Sequence, residues 1–166
     1  MAEAYKVVDV APIYQLVYNE EGDYSPVAAR YPIGLRLYLE NGEMFEMYYV
    51  PPEVIEALEM IRNGNPPPRR QSLFSLLAFH DEFKDLMDKS LDRVVIDEFD
   101  ENTGVYTATV HFESDGLHLT VKMIPSHALF LAMITDKPVY VSEELLEIAL
   151  EEEEEDNEDE EGEDFY

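Results

Sequence analysis

The sequence predicts an α+β fold: a mostly antiparallel, twisted sheet with about four helices in a single domain. Three observations lead there. Residues 35–39 and 43–50 alternate apolar and polar side chains around Asn41-Gly42, the strongest short-range signal of a β-hairpin. Residues 93–100, 105–113 and 117–123 read as three strands joined by Asp-Glu-Asn-Thr-Gly and Ser-Asp-Gly turns, an antiparallel meander. Residues 126–134 hold no charged side chain in a chain that is 30% charged, so they predict a helix enclosed on all sides, by the domain or by a second subunit.

In chain order, 5–18 is β-branched and aromatic and reads as a strand with a bulge or kink at Ala11-Pro12, followed by a turn-rich loop over 19–25. Asn41-Gly42 predicts a type I′ turn in the hairpin. Pro51-Pro52-Glu53 opens a helix whose Val54, Ala57, Leu58 and Ile61 share one face, and Asn63-Gly64 closes it. Pro66-Pro67-Pro68 is a stiff connector. A second helix is expected over about 71–89, with Leu73, Leu76, His80, Phe83 and Met87 in one stripe. Pro125 and Ser126 start the charge-free helix, and Asp136-Lys137-Pro138 stops it. A short strand over 139–141 follows, and Ser142 caps a last helix with Glu143 and Glu144 in its first turn.

The 166 residues suffice for one domain with a sizeable core. Without cysteine there is no disulfide framework, thiolate metal site or cysteine nucleophile. No leader-like or membrane-spanning run is apparent, which reads as a soluble, cytoplasmic protein, and the lack of Cys and Trp beside many Glu and Tyr suits an archaeal or thermophilic source. The formal net charge is −27. Residues 151–166 hold twelve acidic side chains and no Lys or Arg, which predicts a disordered acidic tail after a domain of residues 1–150. That domain still carries 26 acidic against 11 basic residues. Such a surface disfavours non-specific duplex binding and confines any nucleic-acid contact to a local site.

Several groups are candidates for chemistry. Asp97, Glu98, Asp100 and Glu101 form the densest carboxylate group of the domain, at a strand end where a solvated turn is the plain reading. His111 and His118 flank the Ser114-Asp115-Gly116 turn and would form a metal pair if simple register set them opposite. His80 falls within an apolar stripe and reads as structural. Arg62, Arg69 and Arg70, with Asn65, Gln71 and Ser72, make the one locally basic segment, suited to a phosphate or to the chain's own acidic surplus. An acidic tail ending in Phe165-Tyr166 points to docking on a basic partner.

The order of these elements, with Pro125-Ser126, Ala128, Leu131-Ala132, Pro138-Val139-Tyr140-Val141 and Glu143-Glu144-Leu145, resembles the bifunctional nuclease domain family over about residues 5–150. A weaker echo lies at Met47-Tyr48-Tyr49 with Glu53 and Ala57. The resemblance implies a nuclease acting on RNA and DNA, metal-assisted by a divalent ion such as Mg²⁺ or Mn²⁺, with Glu53, Ser126 and His127 as catalytic candidates and no specific metal ligands assigned. The chain departs from the family pattern at Ile124 and His127, where members carry Arg and Asp, and over Ser72-Leu73-Phe74-Ser75-Leu76, where a Thr-His-Asp-Leu-Leu run is expected. Those replacements support a second reading, a non-catalytic oligomeric interaction module whose acidic tail binds a basic partner. The apolar helix adds the expectation of a homodimer or other homo-oligomer.

Overall fold

The computed structural model describes residues 3–15, 31–67 and 69–161. The loop expected over 19–25, the end of the first strand beyond Gln15, Pro68 and the Phe165-Tyr166 tip lie outside the described residues.

Seven strands form one sheet in the order β3-β2-β1-β7-β4-β5-β6. They are β1 (Ala4–Gln15), β2 (Tyr31–Leu39), β3 (Met44–Tyr48), β4 (Leu91–Asp100), β5 (Val105–Ser114), β6 (Leu117–Met123) and β7 (Val139–Ser142). Among the described residues there are five helices: α1 (Pro52–Asn63), α2 (Leu73–Phe79), α3 (Asp81–Asp88), α4 (Pro125–Ile134) and α5 (Glu143–Glu161). All pairings are antiparallel except β4 with β7. The sheet is therefore mixed. The parallel pair arises because α4 lies between β6 and β7 and returns the chain to the middle of the sheet, a crossover that a hairpin cannot make.

Beside the central strand β7, β1 serves two neighbours in succession. Ala4 to Lys6 pair with β7, and Val7 to Gln15 pair with β2. Its irregularities fall between Val7 and Asp9 and between Ile13 and Tyr14, where it changes partners and near its end, and not at Ala11-Pro12. Beyond Lys6 one edge of β1 has no strand beside it among the described residues, which is where a residue lacking an N–H is tolerated. The curl of the sheet brings β3 against the β4–β5 hairpin, with Phe45 edge-on to Tyr106 at 5.1 Å.

The β2–β3 hairpin has a different turn from the one Asn41-Gly42 suggests. Gly42 is left-handed (φ 87°) and Asn41 is not, the Gly42 N–H donates to the Leu39 carbonyl, and the Leu39 N–H donates to the Glu43 carbonyl. This is a three-residue loop with glycine at its bulge, which needs one positive φ where type I′ needs two. The expected helix over 71–89 is two helices. His80 is extended (φ −115°, ψ 110°). Ser75 and Ala78 hold α2 in the core while α3 buries no residue, so the chain turns between them, and Asp81 and Glu82 occupy the new first turn.

At the centre lies α4. Ala128, Leu129, Phe130 and Ala132 are all buried, against β4, β5, α1 and α2. Burying Leu129 and Phe130 stabilises the domain by about 1.5–3 kcal/mol each. Within the single chain the enclosure is partial, because His127, Leu131, Met133 and Ile134 stay half-buried. The helix ends where buried Thr135 donates its hydroxyl to the Leu131 carbonyl (2.8 Å) and Asp136 turns left-handed. The Ser142 hydroxyl then accepts the Leu145 N–H to start α5, which continues as helix to Glu161 and so takes in the first part of the acidic segment. Among the described residues, no helix is long and apolar enough to cross a membrane.

Candidate functional site

Two depressions meet the start of α1. The first is a cleft of about 400 Å³ lined by Glu53, Glu56, Arg70, Gln71, Ser72 and Ser75. The Pro51-Pro52 pair sets the helix start without a side-chain cap, which places Glu53 in the first turn. Glu56 follows at i+3 on the same side. Across the cleft, the start of α2 is fixed by a reciprocal capping pair. The Ser72 hydroxyl accepts the Ser75 N–H (3.2 Å), and the Ser75 hydroxyl accepts the Ser72 N–H (2.8 Å). Glu53, Glu56 and Arg70 are exposed and have no hydrogen bond or ion pair among the described residues. Two free carboxylates and a free guanidinium therefore face one space.

The second is a pocket of about 330 Å³ between the end of β3, the start of β5 and the start of α4. Ser126 and His127 line it, beside Tyr48, Tyr49, Tyr106 and Ile124. Ser126 as a residue is 3% exposed, but its hydroxyl oxygen keeps access to solvent and has no hydrogen-bond partner among the described residues. The half-buried His127 ring meets Phe74 edge-on at 5.0 Å, and Phe74 meets Phe130 at 5.2 Å, so α2 forms part of the support behind this pocket as well. The Tyr48 hydroxyl donates to the Glu46 carboxylate, which the Arg36 guanidinium also holds at 2.6 Å. That bond to Glu46, then burial, raises the Tyr48 phenol above its ordinary value; burial, then the Glu152 and Glu153 charges on α5, raises Tyr106. Both phenols are neutral at physiological pH.

The sequence-derived candidates thus divide. Glu53 and Arg70 come together in the cleft, and Ser126 and His127 come together in the pocket. Arg69 is exposed nearby in sequence but lines neither space. Arg62 is engaged elsewhere: its guanidinium donates to the Val10 carbonyl (2.7 Å) and lies 3.8 Å from Asp9, tying the end of α1 to β1. The His111–His118 pair does not form. The β5–β6 register sets His118 opposite Glu113 and His111 opposite Thr120. The carboxylates near the β4 end are structural. Asp97 accepts from Thr109, Glu98 pairs with Lys122, and Asp100 accepts the Asn102 N–H (3.0 Å), which holds its carboxyl below the ordinary range. No group of three or more His, Asp or Glu suited to a metal occurs among the described residues.

The sequence did not mark Glu56 or Tyr106, and it marked Gln71 only beside the arginines and Tyr48 and Tyr49 only within the family echo. The i, i+3 spacing of Glu53 and Glu56 was the available signal for the first. No local pattern announces the tyrosines, which meet only through tertiary packing.

A family model described as the bifunctional nuclease domain matches residues 55–154. That span begins two residues after Glu53 and contains Arg70, Ser126 and His127. No curated protein matches the chain.

Proposed function

The chain belongs to the bifunctional nuclease domain family, and from that premise we propose that it hydrolyses phosphodiester bonds of RNA or DNA at the Glu53–Arg70 cleft. One observation supports this above the others: Glu53, Glu56 and Arg70 share a cleft, and none is neutralised by a partner among the described residues. Hard divalent cations such as Mg²⁺ are commonly held by one or two carboxylates plus substrate phosphates, so a two-carboxylate site suffices chemically. Glu53 and Glu56 would hold such an ion, and it would supply charge neutralisation at the phosphate. Arg70 presents a fork of donors to the non-bridging oxygens and orients the phosphate. Gln71 and Ser72 add neutral donors beside it, and buried Ser75 keeps the start of α2 in place.

A second reading is a non-catalytic interaction module, as a homo-oligomer or bound to a basic partner. The aromatic make-up of the Ser126 pocket and the acidic α5 favour it. One assay separates the two. Labelled RNA and DNA are incubated with the protein, with and without Mg²⁺ or Mn²⁺, beside a Glu53→Ala, His127→Ala double variant. Metal-dependent cleavage lost in the variant supports hydrolysis. Cleavage no greater than that of the variant ends the nuclease reading.

A further inference from the structure

The Ser126 pocket contains features that hydrolysis at the cleft leaves unexplained. Tyr49 is 98% exposed and left-handed (φ 58°), a conformation uncommon for any non-glycine residue and a true outlier for a bulky one. Its N–H donates to the Ile33 carbonyl (2.9 Å), which fixes the backbone where the ring stands out at the pocket rim. Strain of this kind persists where surrounding structure imposes it, and it concentrates at ligand sites. Below the rim, α4 begins without a side-chain cap. The Ser126 N–H, second in that helix, has no acceptor among the described residues, and the Ser126 hydroxyl beside it is open to solvent at the pocket and likewise without a partner among them. Two free donors at one point suit a ligand with acceptor atoms.

We propose that this pocket takes an unpaired nucleobase of a single-stranded nucleic acid, stacked by Tyr49 and the neighbouring tyrosines, with its edge acceptors bonded by the Ser126 hydroxyl and N–H. The proposal rests on the nucleic-acid reading above and names its substrate class. At about 330 Å³ the pocket is at the small end of ligand sites, suited to one nucleotide and closed to a duplex. Base stacking on aromatic side chains is a sequence-tolerant mode of single-strand recognition. It also needs no basic surface, which a chain of net charge −27 does not offer. Pro51 lines this pocket and Glu53 lines the cleft, so a strand crossing the start of α1 would meet a base site first and a phosphate site next.

The test is fluorescence anisotropy of the full chain, without divalent cation, on a short labelled oligothymidine and on a duplex of the same length. Single strand should bind at least about tenfold more tightly than duplex. Tyr49→Ala and Ser126→Ala should each lower single-strand affinity about tenfold, with Tyr49→Phe close to wild type. Because few cations contact the backbone, raising salt from about 50 to about 200 mM should change that affinity less than about threefold, against the thousandfold or greater loss of a protein with many phosphate contacts. Equal affinity for duplex, a Tyr49→Ala variant that binds as well as wild type, or no oligonucleotide binding at all overturns the proposal. So does a Tyr49→Ala variant that sediments as monomer where the wild type is dimer, with unchanged oligonucleotide affinity. That result assigns the aromatic rim to a second copy. Cleavage is read separately: metal-dependent cleavage that survives Tyr49→Ala beside unchanged binding leaves the nuclease reading standing and removes only the base pocket.

Discussion

The two depressions share the start of α1 and little else. The cleft is lined by two carboxylates, a guanidinium and an amide that are exposed and unpaired among the described residues, by the mutually bonded Ser72 and Ser75, and by Ala57 and Met60. The pocket has aromatic and aliphatic walls with no carboxylate or cation among its lining residues, and its polar groups are the three tyrosine phenols, the Ser126 hydroxyl and a half-buried imidazole. Electrostatics is weak in the first unless a ligand excludes water, because exposed charges are screened within about 10 Å at ordinary salt. In the second, Tyr48, Tyr49, Val105 and Ile124 stand exposed around a buried floor, and shape and stacking decide what enters. On the proposed reading, the difference lets so acidic a chain address a polyanion: the charged contact would be confined to one cleft, and binding would depend on contacts that salt does not weaken.

The largest test of this division is Glu53→Gln. It removes the charge and keeps the size of a side chain that lines only the cleft. Cleavage should fall by about 10²–10⁴, the range for losing a positioned acid–base or charge-bearing group, while metal-free oligothymidine affinity stays within about twofold. Loss of both together would mean that the two sites are one. Next is Phe130→Ala. Phe130 is 1% exposed and supports Phe74, which in turn packs on His127, while the same helix α2 carries Ser72 and Ser75 to the cleft. Truncating it should cost about 3–5 kcal/mol in denaturant unfolding. It should also weaken both cleavage and oligothymidine binding, because the ring backs the wall common to both depressions. A variant destabilised by that amount with one function intact would show that α2 serves only one of them.

Much of the fold was legible because it is local. The β2–β3 hairpin, α1 with its Gly64 stop, the β4–β5–β6 meander and α4 each declare themselves within about a dozen residues, through period, turn chemistry and caps. What escaped is what local pattern does not contain. The break at His80 was hidden because Leu73, Leu76, Phe83 and Met87 keep one helical period through it. The parallel β4–β7 pair joins residues more than forty positions apart, so no turn signal marks it. Arg62 looked like a phosphate ligand from its neighbours in sequence and is held by Val10 from a different strand. Of the candidate site, Glu53 and Arg70 could be named but not placed together, since the Pro-rich connector between them has no pattern that fixes its path. Tyr49 left one trace: Pro51-Pro52 two residues on ends the strand, which makes an abrupt turn there unsurprising.

Gly34→Ala strikes the pocket alone. A Cβ at Gly34 would stand 2.3 Å from the Met47 carbonyl oxygen, where β2 and β3 approach most closely, and Gly34 pairs with Tyr48. Backbone, not a flexible side chain, is in the way, so the strands must separate. The expected cost is about 1–3 kcal/mol, as for overpacking elsewhere. Tyr48 and Tyr49 shift with β3, so oligothymidine affinity should fall several-fold while the rate of cleavage at saturating substrate is unchanged. A lowered saturating rate would show that β3 also positions the cleft.

Ser72→Ala is the complementary and smallest change. It deletes the hydroxyl that accepts the Ser75 N–H and leaves the Ser75 hydroxyl on the Ser72 N–H, so one of the two reciprocal bonds at the start of α2 is lost. Removing such a cap costs about 1 kcal/mol. Arg70 lies two residues before Ser72, and Gln71 directly before it, in a stretch with no other anchor among the described side-chain bonds. Loosening that stretch should raise KM for nucleic acid several-fold with kcat nearly constant, because Arg70 orients the phosphate without taking part in bond breaking. The pocket should register nothing, since Tyr49, Tyr106 and Ser126 belong to other elements. If oligothymidine affinity in the absence of metal falls in step with KM, the cap acts through Phe74 and His127, and the cleft and pocket are coupled across α2.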